Sequence, residues 1–128
     1  MRLLLDTHIA LWAIADSPAL PAEARRLILS PQSEIFLSAA SIWEIAIKHG
    51  LGRGNMPISG REAAEYFGQA GYVPLEISTQ HAVYVETLPP HHADPFDRML
   101  VAQALSEPMR LLTHDKQLSA YSDTVILV

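Results

Sequence analysis

The chain has 128 residues, 49% of them hydrophobic, and carries nine Lys and Arg against fourteen Asp and Glu, for a formal net charge of -5. This length and composition predict one domain, residues 1–128. Because the net charge is negative, the molecule as a whole does not attract polyanions. Since the chain has no cysteine, no long apolar run and no signal-peptide pattern, we expect a cytoplasmic protein without disulfides or a membrane partner.

A buried strand opens the chain. Residues 2–7 read Arg-Leu-Leu-Leu-Asp-Thr, and an unbroken aliphatic run of this kind is typical of a strand that is covered on both faces. The run ends at Asp6. Ligands of open, mostly parallel sheets collect beyond the carboxyl ends of the strands, so Asp6 is the first candidate for a functional carboxylate.

Helices and strands alternate along the rest of the chain. Capping signals and apolar spacing predict helices over 7–15, 21–29, 42–49, 59–67, 78–88 and 96–105, with a short one ending at 121. Further strands are predicted at 34–38, 72–77, 110–113 and 124–128, and exposed loops at 51–55 and 88–92. This alternation predicts a three-layer α/β/α sandwich with a mainly parallel, five-stranded sheet.

Four carboxylates follow the predicted strands or lie early in the helices that these strands feed: Asp6, Glu44, Asp97 and Asp115. Taken singly, each has a structural explanation as a helix cap, a charge near a helix dipole or, for Glu44, a partner of Lys48. However, Glu44 lies beside Trp43 in a helix whose opposite faces both look buried, Asp97 has apolar neighbours, and a buried carboxylate is costly unless it is paired. If the four converge, their repulsion favours raised pKa values or a bound divalent metal.

The residue types indicate which metal such a site would take. Carboxylate oxygens, without cysteine and without two histidines four apart on a helix, suit Mg²⁺ or Mn²⁺ rather than Zn²⁺. We interpret His91 and His92 as loop residues, while His8 and His114 neighbour the suspected acids. A carboxylate-held metal at a sheet edge is suited to phosphoryl chemistry, in which it activates water and neutralises phosphate charge.

Four basic residues lie close in sequence to these acids: Lys48, Arg53, Arg98 and Lys116. They could form a local rim for a phosphate backbone despite the negative total charge. Charged residues near helix ends are equally explained as a solvated surface. They are therefore candidates for substrate binding.

Four segments in register resemble the PIN domain, in particular the VapC-type toxins of bacterial type II toxin-antitoxin systems. These are residues 3–7, 41–45, 94–104 and 112–115. The resemblance implies a Mg²⁺- or Mn²⁺-dependent endoribonuclease with a five-stranded parallel sheet between helices. It further implies an acidic catalytic and metal-binding quartet and two adjacent hydroxyls. The positions that match are Asp6, Glu44, Asp97 and Asp115, with Thr7 and Thr113 beside them.

The resemblance also implies partners. It predicts a homodimer and a small antitoxin that lays a helix over the toxin. The apolar segment 8–15, with Trp12, fits such a docking surface and is equally explained by core packing. Asp94 recurs in this branch of the family, but we assign it to a helix cap because Pro95 follows it directly.

Three alternatives differ from this prediction in the residues that they require. A phosphoacceptor receiver domain would need two adjacent acids after the first strand, where Asp6 is followed by Thr7 and His8. A phosphatase of the haloacid dehalogenase kind would need an aspartate at the position of His8. A catalytically silent PIN-like module that binds a basic partner remains open on sequence alone.

Overall fold

A five-stranded parallel sheet organises the computed structural model, which describes residues 1–53 and 55–128. Its strands are β1 (Arg2–Leu5), β2 (Glu34–Ser38), β3 (Val73–Leu75), β4 (Arg110–Thr113) and β5 (Val125–Leu127). Their spatial order is β3-β2-β1-β4-β5, and every neighbouring pair is parallel. The aliphatic run of β1 is therefore central, and its three leucines are fully buried, as expected for a strand covered on both faces.

Helices connect the strands. They are α1 (Thr7–Ile14), α2 (Ala22–Leu29), α3 (Ala39–Gly50), α4 (Gly60–Gln69), α5 (Thr79–Tyr84) and α6 (Pro95–Ser106), with 3₁₀ segments at Val85–Thr87 and Lys116–Ala120. Across the part of the chain that the structure describes, every helix is too short or too polar to cross a bilayer.

The core is split between the two faces of the sheet. Leu3 and Leu5 point to one face, where buried residues of α1, α2 and α4 pack on them. Leu4 points to the other face, against buried residues of α6 such as Leu100 and Val101. Because side chains alternate along a strand, β1 contributes to both halves. The predicted three-layer sandwich is confirmed.

Several boundaries differ from the predictions. Helix α3 begins at Ala39 rather than 42, because Ser38 caps it by accepting the Ala40 N–H at 2.9 Å. The expectation that both faces of this helix are buried is wrong, since the Trp43 side chain is 57% exposed. The predicted helix 78–88 is divided into α5 and a 3₁₀ segment, and the strand at 72–77 is shorter. Of the predicted loop 51–55, residue 54 lies outside the described residues.

The sheet order bears on one alternative. Receiver domains have the strand order 2-1-3-4-5, whereas β1 lies here between β2 and β4. A receiver-type signalling domain is therefore excluded by topology.

Candidate active site

All four acids singled out from the sequence line one cleft at the carboxyl ends of the central strands. Asp6 directly follows β1, Asp115 lies two residues beyond β4, Asp97 is in the first turn of α6, and Glu44 is in α3. The cleft has a volume of about 390 Å³. Its lining residues are Asp6, His8, Trp12, Glu44, Lys48, His92, Asp94, Asp97, His114 and Asp115. Segments far apart in sequence thus deliver their carboxylates to a common pocket.

Asp6 is held by the neighbouring strand. Its backbone N–H donates to the carbonyl of Leu112 at 3.0 Å, which continues the pairing of β1 with β4. Its Oδ2 accepts a 2.6 Å hydrogen bond from the buried hydroxyl of Thr113. The side chain is only 8% exposed. Burial raises the pKa of Asp6, and the hydrogen bond from Thr113 offsets part of that rise.

Asp97 carries the most perturbed carboxyl group. Asp94 caps α6, as predicted, and its Oδ1 accepts the backbone N–H groups of Phe96 at 2.8 Å and Asp97 at 3.1 Å. Burial raises the pKa of Asp97 to about 8, with additional contributions from the charges of nearby acids, namely Asp6, Asp94, Glu44 and Asp115. Burial and the neighbouring acids therefore disfavour the ionised form of Asp97 when no metal is bound.

Glu44 is nearly inaccessible, at 4% exposure, and both of its oxygens are engaged. The hydroxyl of Thr7 donates to Oε1 at 2.7 Å and lies 2.9 Å from the hydroxyl of Ser41. The ammonium of Lys48 donates to Oε2 at 2.5 Å. Burial alone would lower the pKa of Lys48, but its hydrogen bond and charge interaction with Glu44 raise it overall. The i,i+4 pair considered from the sequence exists, but it lies within the cleft.

Asp115 is tied to a histidine that sequence reasoning missed. Its Oδ1 accepts the N–H of Gln117 at 2.9 Å, so Asp115 caps the 3₁₀ segment that follows. Its Oδ2 lies 2.9 Å from Nε2 of His92, which is also 3.3 Å from Oδ2 of Asp97. The interpretation of His92 as a simple loop residue is therefore wrong. The sequence did offer a signal for this role, because His92 lies two residues before Asp94, the N-cap of α6.

The basic residues predicted to bind substrate are distributed unevenly. Lys48 lines the cleft, whereas Arg53 and Lys116 are exposed and are not among its lining residues. The guanidinium of Arg98 donates to the hydroxyl of Tyr121 at 3.0 Å and to backbone carbonyls of the segment before α6, including that of Pro89 at 3.0 Å. Arg98 therefore holds a loop in place, and its contact with substrate stays a prediction.

The carboxylate oxygens of the cleft fit a divalent cation. One oxygen each of Asp97 and Asp115 lie within 4.8 Å of each other, and Nε2 of His92 lies within the same distance of both. The buried carboxylate of Asp6 interacts electrostatically with Asp97 across the same cleft. Because hard carboxylate oxygens predominate, this donor set suits Mg²⁺ or Mn²⁺.

Comparison with known proteins gives one family. The PIN domain model matches residues 3–123, and no curated protein matches the sequence. Among solved structures, a chain of VapBC2 from Rickettsia felis bound to a promoter DNA fragment shares 18% identity with a TM-score of 0.69. The similarity covers 100% of this chain and 98% of that one.

Two further solved structures are similar over nearly their whole length. For VapBC-1 from nontypeable Haemophilus influenzae, the identity is 22%, the TM-score 0.65, and the coverage 99% of this chain and 98% of that one. For VapBC-5 from Mycobacterium tuberculosis, a member of the VapBC family of toxin-antitoxin systems, the values are 18%, 0.63, 99% and 97%. Identities this low show a shared fold. Because the PIN domain model spans nearly the entire sequence, the chain belongs to the PIN domain family.

Proposed function

We propose that this protein is a metal-dependent endoribonuclease that acts in the cytoplasm as the toxin of a toxin-antitoxin pair. The observation that carries the proposal is the cleft in which Asp6, Glu44, Asp97 and Asp115 converge, and in which repulsion and burial raise the pKa of Asp97 to about 8. Such crowding of acids is unfavourable without a cation. The shared fold with VapBC proteins supports the same conclusion.

In this proposal Asp6 and Asp97 are the principal ligands of Mg²⁺, or of Mn²⁺, and Asp115 completes the site. When bound there, the ion supplies positive charge that stabilises the attacked phosphate and activates a water for hydrolysis. Thr113 fixes the orientation of Asp6 through the hydrogen bond to Oδ2. Because the ionised form of Asp97 is disfavoured without metal, binding of the ion there is coupled to proton release.

Glu44 has a more constrained place in this proposal. Thr7 and Lys48 each occupy one of its oxygens, so the carboxylate is fixed in direction before any ligand arrives. We assign Glu44 to catalysis through water orientation, with metal ligation as its secondary role. Lys48, which lines the cleft, is the predicted basic residue best placed to contact an RNA phosphate.

This protein has a surface that suits the docking of the proposed antitoxin. A groove of about 820 Å³ is lined by residues of α1, α2 and α4, including Ile14, Leu29 and Tyr66, and by residues 33–35 and 70–73. Leu29 and Tyr66 are exposed, and an amphipathic helix laid in such a groove would cover them. The VapBC proteins that share the fold belong to toxin-antitoxin systems, which supports this choice of partner.

The proposed homodimer rests on a second apolar surface. Trp43 packs edge-on against Phe96, with ring centroids 5.1 Å apart, and both line an apolar pocket together with Met99. Exposed apolar patches of this kind are typical of protein interfaces. Sedimentation of the purified protein and of Trp43→Arg would test the assignment, since the substitution is expected to give monomers.

The decisive experiment measures cleavage of mixed cellular RNA with Mg²⁺, with Mn²⁺ and with EDTA. We expect cleavage only with the metal, and a loss of about a thousandfold in Asp97→Asn, because a metal ion contributes several kcal/mol to the transition state. Glu86→Gln, at an exposed position outside the cleft, is the matched control and should cleave normally. Cleavage that persists in EDTA and in Asp97→Asn would contradict the mechanism.

One alternative function is favoured by a specific observation. Lys48 already neutralises Glu44 within the cleft, and a basic side chain of a partner could neutralise the remaining acids in the same way. A folded protein that binds such a partner but leaves RNA intact with either metal would be a silent binding module.

A further inference from the structure

The side chain of His92 connects two acids that come from different parts of the fold. Its imidazole is 14% exposed, and Nε2 lies 2.9 Å from Oδ2 of Asp115 and 3.3 Å from Oδ2 of Asp97. Asp97 belongs to α6, whereas Asp115 follows β4. A single ring nitrogen therefore lies between two acidic side chains that come from different parts of the fold.

A backbone group determines which nitrogen of His92 carries the proton. The N–H of Asp94 donates to Nδ1 at 3.0 Å, and a backbone N–H has no other role than donor. Nδ1 is thus an acceptor, so the neutral ring carries its hydrogen on Nε2. The nitrogen that faces Asp97 and Asp115 is therefore an N–H donor and has no lone pair to offer a metal ion.

The backbone around His92 is anchored independently of the acids. Its own N–H donates to the hydroxyl of Tyr121 at 2.9 Å, and that hydroxyl accepts from Arg98 at 3.0 Å. Arg98 also donates to the carbonyl of Pro89 at 3.0 Å. Because these bonds fix the segment on both sides, the imidazole presents its N–H at a defined position in the cleft.

We propose that His92 is a positioning residue for the metal site: its Nε2–H donates to Oδ2 of Asp115 and lies 3.3 Å from Oδ2 of Asp97, which keeps one oxygen of each acid close enough to share a divalent cation. The inference rests on the proposed function, because it assumes that these carboxylates bind a metal. It assigns to His92 the part of a hydrogen-bond donor and excludes it from the ligands. Donors of this kind orient ligands, and their removal typically weakens metal affinity.

Calorimetric titration with Mn²⁺, without RNA, tests the proposal on the full chain. We expect His92→Ala to bind Mn²⁺ about 10- to 100-fold more weakly than the unaltered protein. His92→Gln should regain most of the affinity, because its amide can supply an N–H near the position of Nε2. His91→Ala, a change of the same kind at the exposed neighbouring residue, is the control and should bind normally.

Two spectroscopic measurements separate positioning from ligation. Nitrogen-15 NMR of the metal-free protein should show His92 with a protonated Nε2 and an unprotonated Nδ1, a test that needs no variant. Pulsed electron paramagnetic resonance of the Mn²⁺-loaded protein should show no directly coordinated imidazole nitrogen. A strong nitrogen coupling to Mn²⁺, or the opposite tautomer, would overturn the proposal.

The outcomes also separate this inference from the function on which it rests. Equal Mn²⁺ affinity in His92→Ala and the unaltered protein would overturn the role of His92 and leave the nuclease proposal intact. Failure of the unaltered protein to bind Mn²⁺ at all would contradict both. If His92→Ala unfolds, the NMR and resonance measurements on the unaltered protein still decide the question.

Discussion

At the corner between α1 and α2, each acidic side chain has an arginine beside it. Oδ1 of Asp16 lies 2.5 Å from Nη1 of Arg25, and Oε1 of Glu23 lies 2.5 Å from Nη2 of Arg26. In the cleft at the sheet edge, five acids share a single lysine, and most of them are wholly or largely removed from water. These are Asp6, Glu44, Asp94, Asp97 and Asp115, with Lys48 as the lysine.

The contrast shows where the negative charge of the chain is left without compensation. The net charge of -5 is a property of the whole molecule and does not locate a site. Exposed pairs such as Glu23 with Arg26 contribute little, because water screens them. The cleft instead retains an uncompensated charge in a low-dielectric setting, which weakens the metal-free fold and favours cation binding.

The largest expected effect comes from removing the most crowded acid. In EDTA at pH 8, Asp97→Asn should raise the free energy of unfolding by about 2 kcal/mol, because it removes a carboxyl group that is disfavoured in its charged form. Urea unfolding measures the change. A decrease in stability would show that Asp97 is well compensated without metal, and the contrast with the α1–α2 corner would fail.

The raised pKa of Asp97 also predicts how the stability of the protein depends on pH. The folded pKa of Asp97 is about 8, above its ordinary value of 3.8, so the native state binds more protons than the unfolded state between these values. The stability of the metal-free protein should therefore fall as pH rises from about 4 to about 8 and then level off. In Asp97→Asn, urea midpoints over the same range should fall less. Parallel curves for the two proteins would contradict the assignment.

The next largest effect concerns the single cation of the cleft. Lys48→Met leaves the buried carboxylate of Glu44 without its partner, and we expect a loss of about 1 to 2 kcal/mol. This is less than for a fully buried pair, since Lys48 is 28% exposed. The double variant Lys48→Met with Glu44→Gln should recover most of the loss in urea unfolding. Additive losses in the double variant would show that the two side chains act independently.

A smaller effect is expected at the hydroxyl that supports Asp6. Thr113→Val preserves shape but removes the donor to Asp6 Oδ2 and the acceptor of the Asp115 N–H. The expected loss is about 1 kcal/mol of stability, with weaker Mn²⁺ binding in calorimetry. Thr113→Ser keeps the hydroxyl and should behave nearly as the unaltered protein. A stable Thr113→Val with normal Mn²⁺ affinity would remove this residue from the site.

The smallest effect is expected at the exposed ion pairs of the α1–α2 corner. Glu23→Gln breaks an exposed ion pair on α2, and the urea midpoint should not change measurably because both partners are solvated. A clear loss of stability would mean that the surface pairs matter as much as those of the cleft.

The convergence of the acids could be predicted because it depends on local rules. Asp6 follows an aliphatic strand, Asp94 and Pro95 mark a helix start, and the carboxyl ends of parallel strands meet at one sheet edge. The fold class was predictable for the same reason, because local apolar spacing and capping residues indicate the alternation of helices and strands. The catalytic roles of these acids remain predictions.

The missed features depend on contacts between distant segments. His92 acquires its place only when residue 115, 23 positions later, folds beside it. The contacts of Arg98 were missed because sequence does not reveal that backbone carbonyls and Tyr121 surround its guanidinium. The exposure of Trp43 was missed because an apolar residue on a helix does not show whether its partner is the core or another surface.

The anchoring of the 89–94 segment by Arg98 and Tyr121 has a consequence for protein engineering. Asp97 and Arg98 are consecutive residues of α6, so one turn of helix supplies both a carboxylate of the cleft and the brace for the loop that carries His92. The loop is therefore not modular. A graft of residues 89–94 into another scaffold would retain its shape only if the arginine and the tyrosine were transplanted with it.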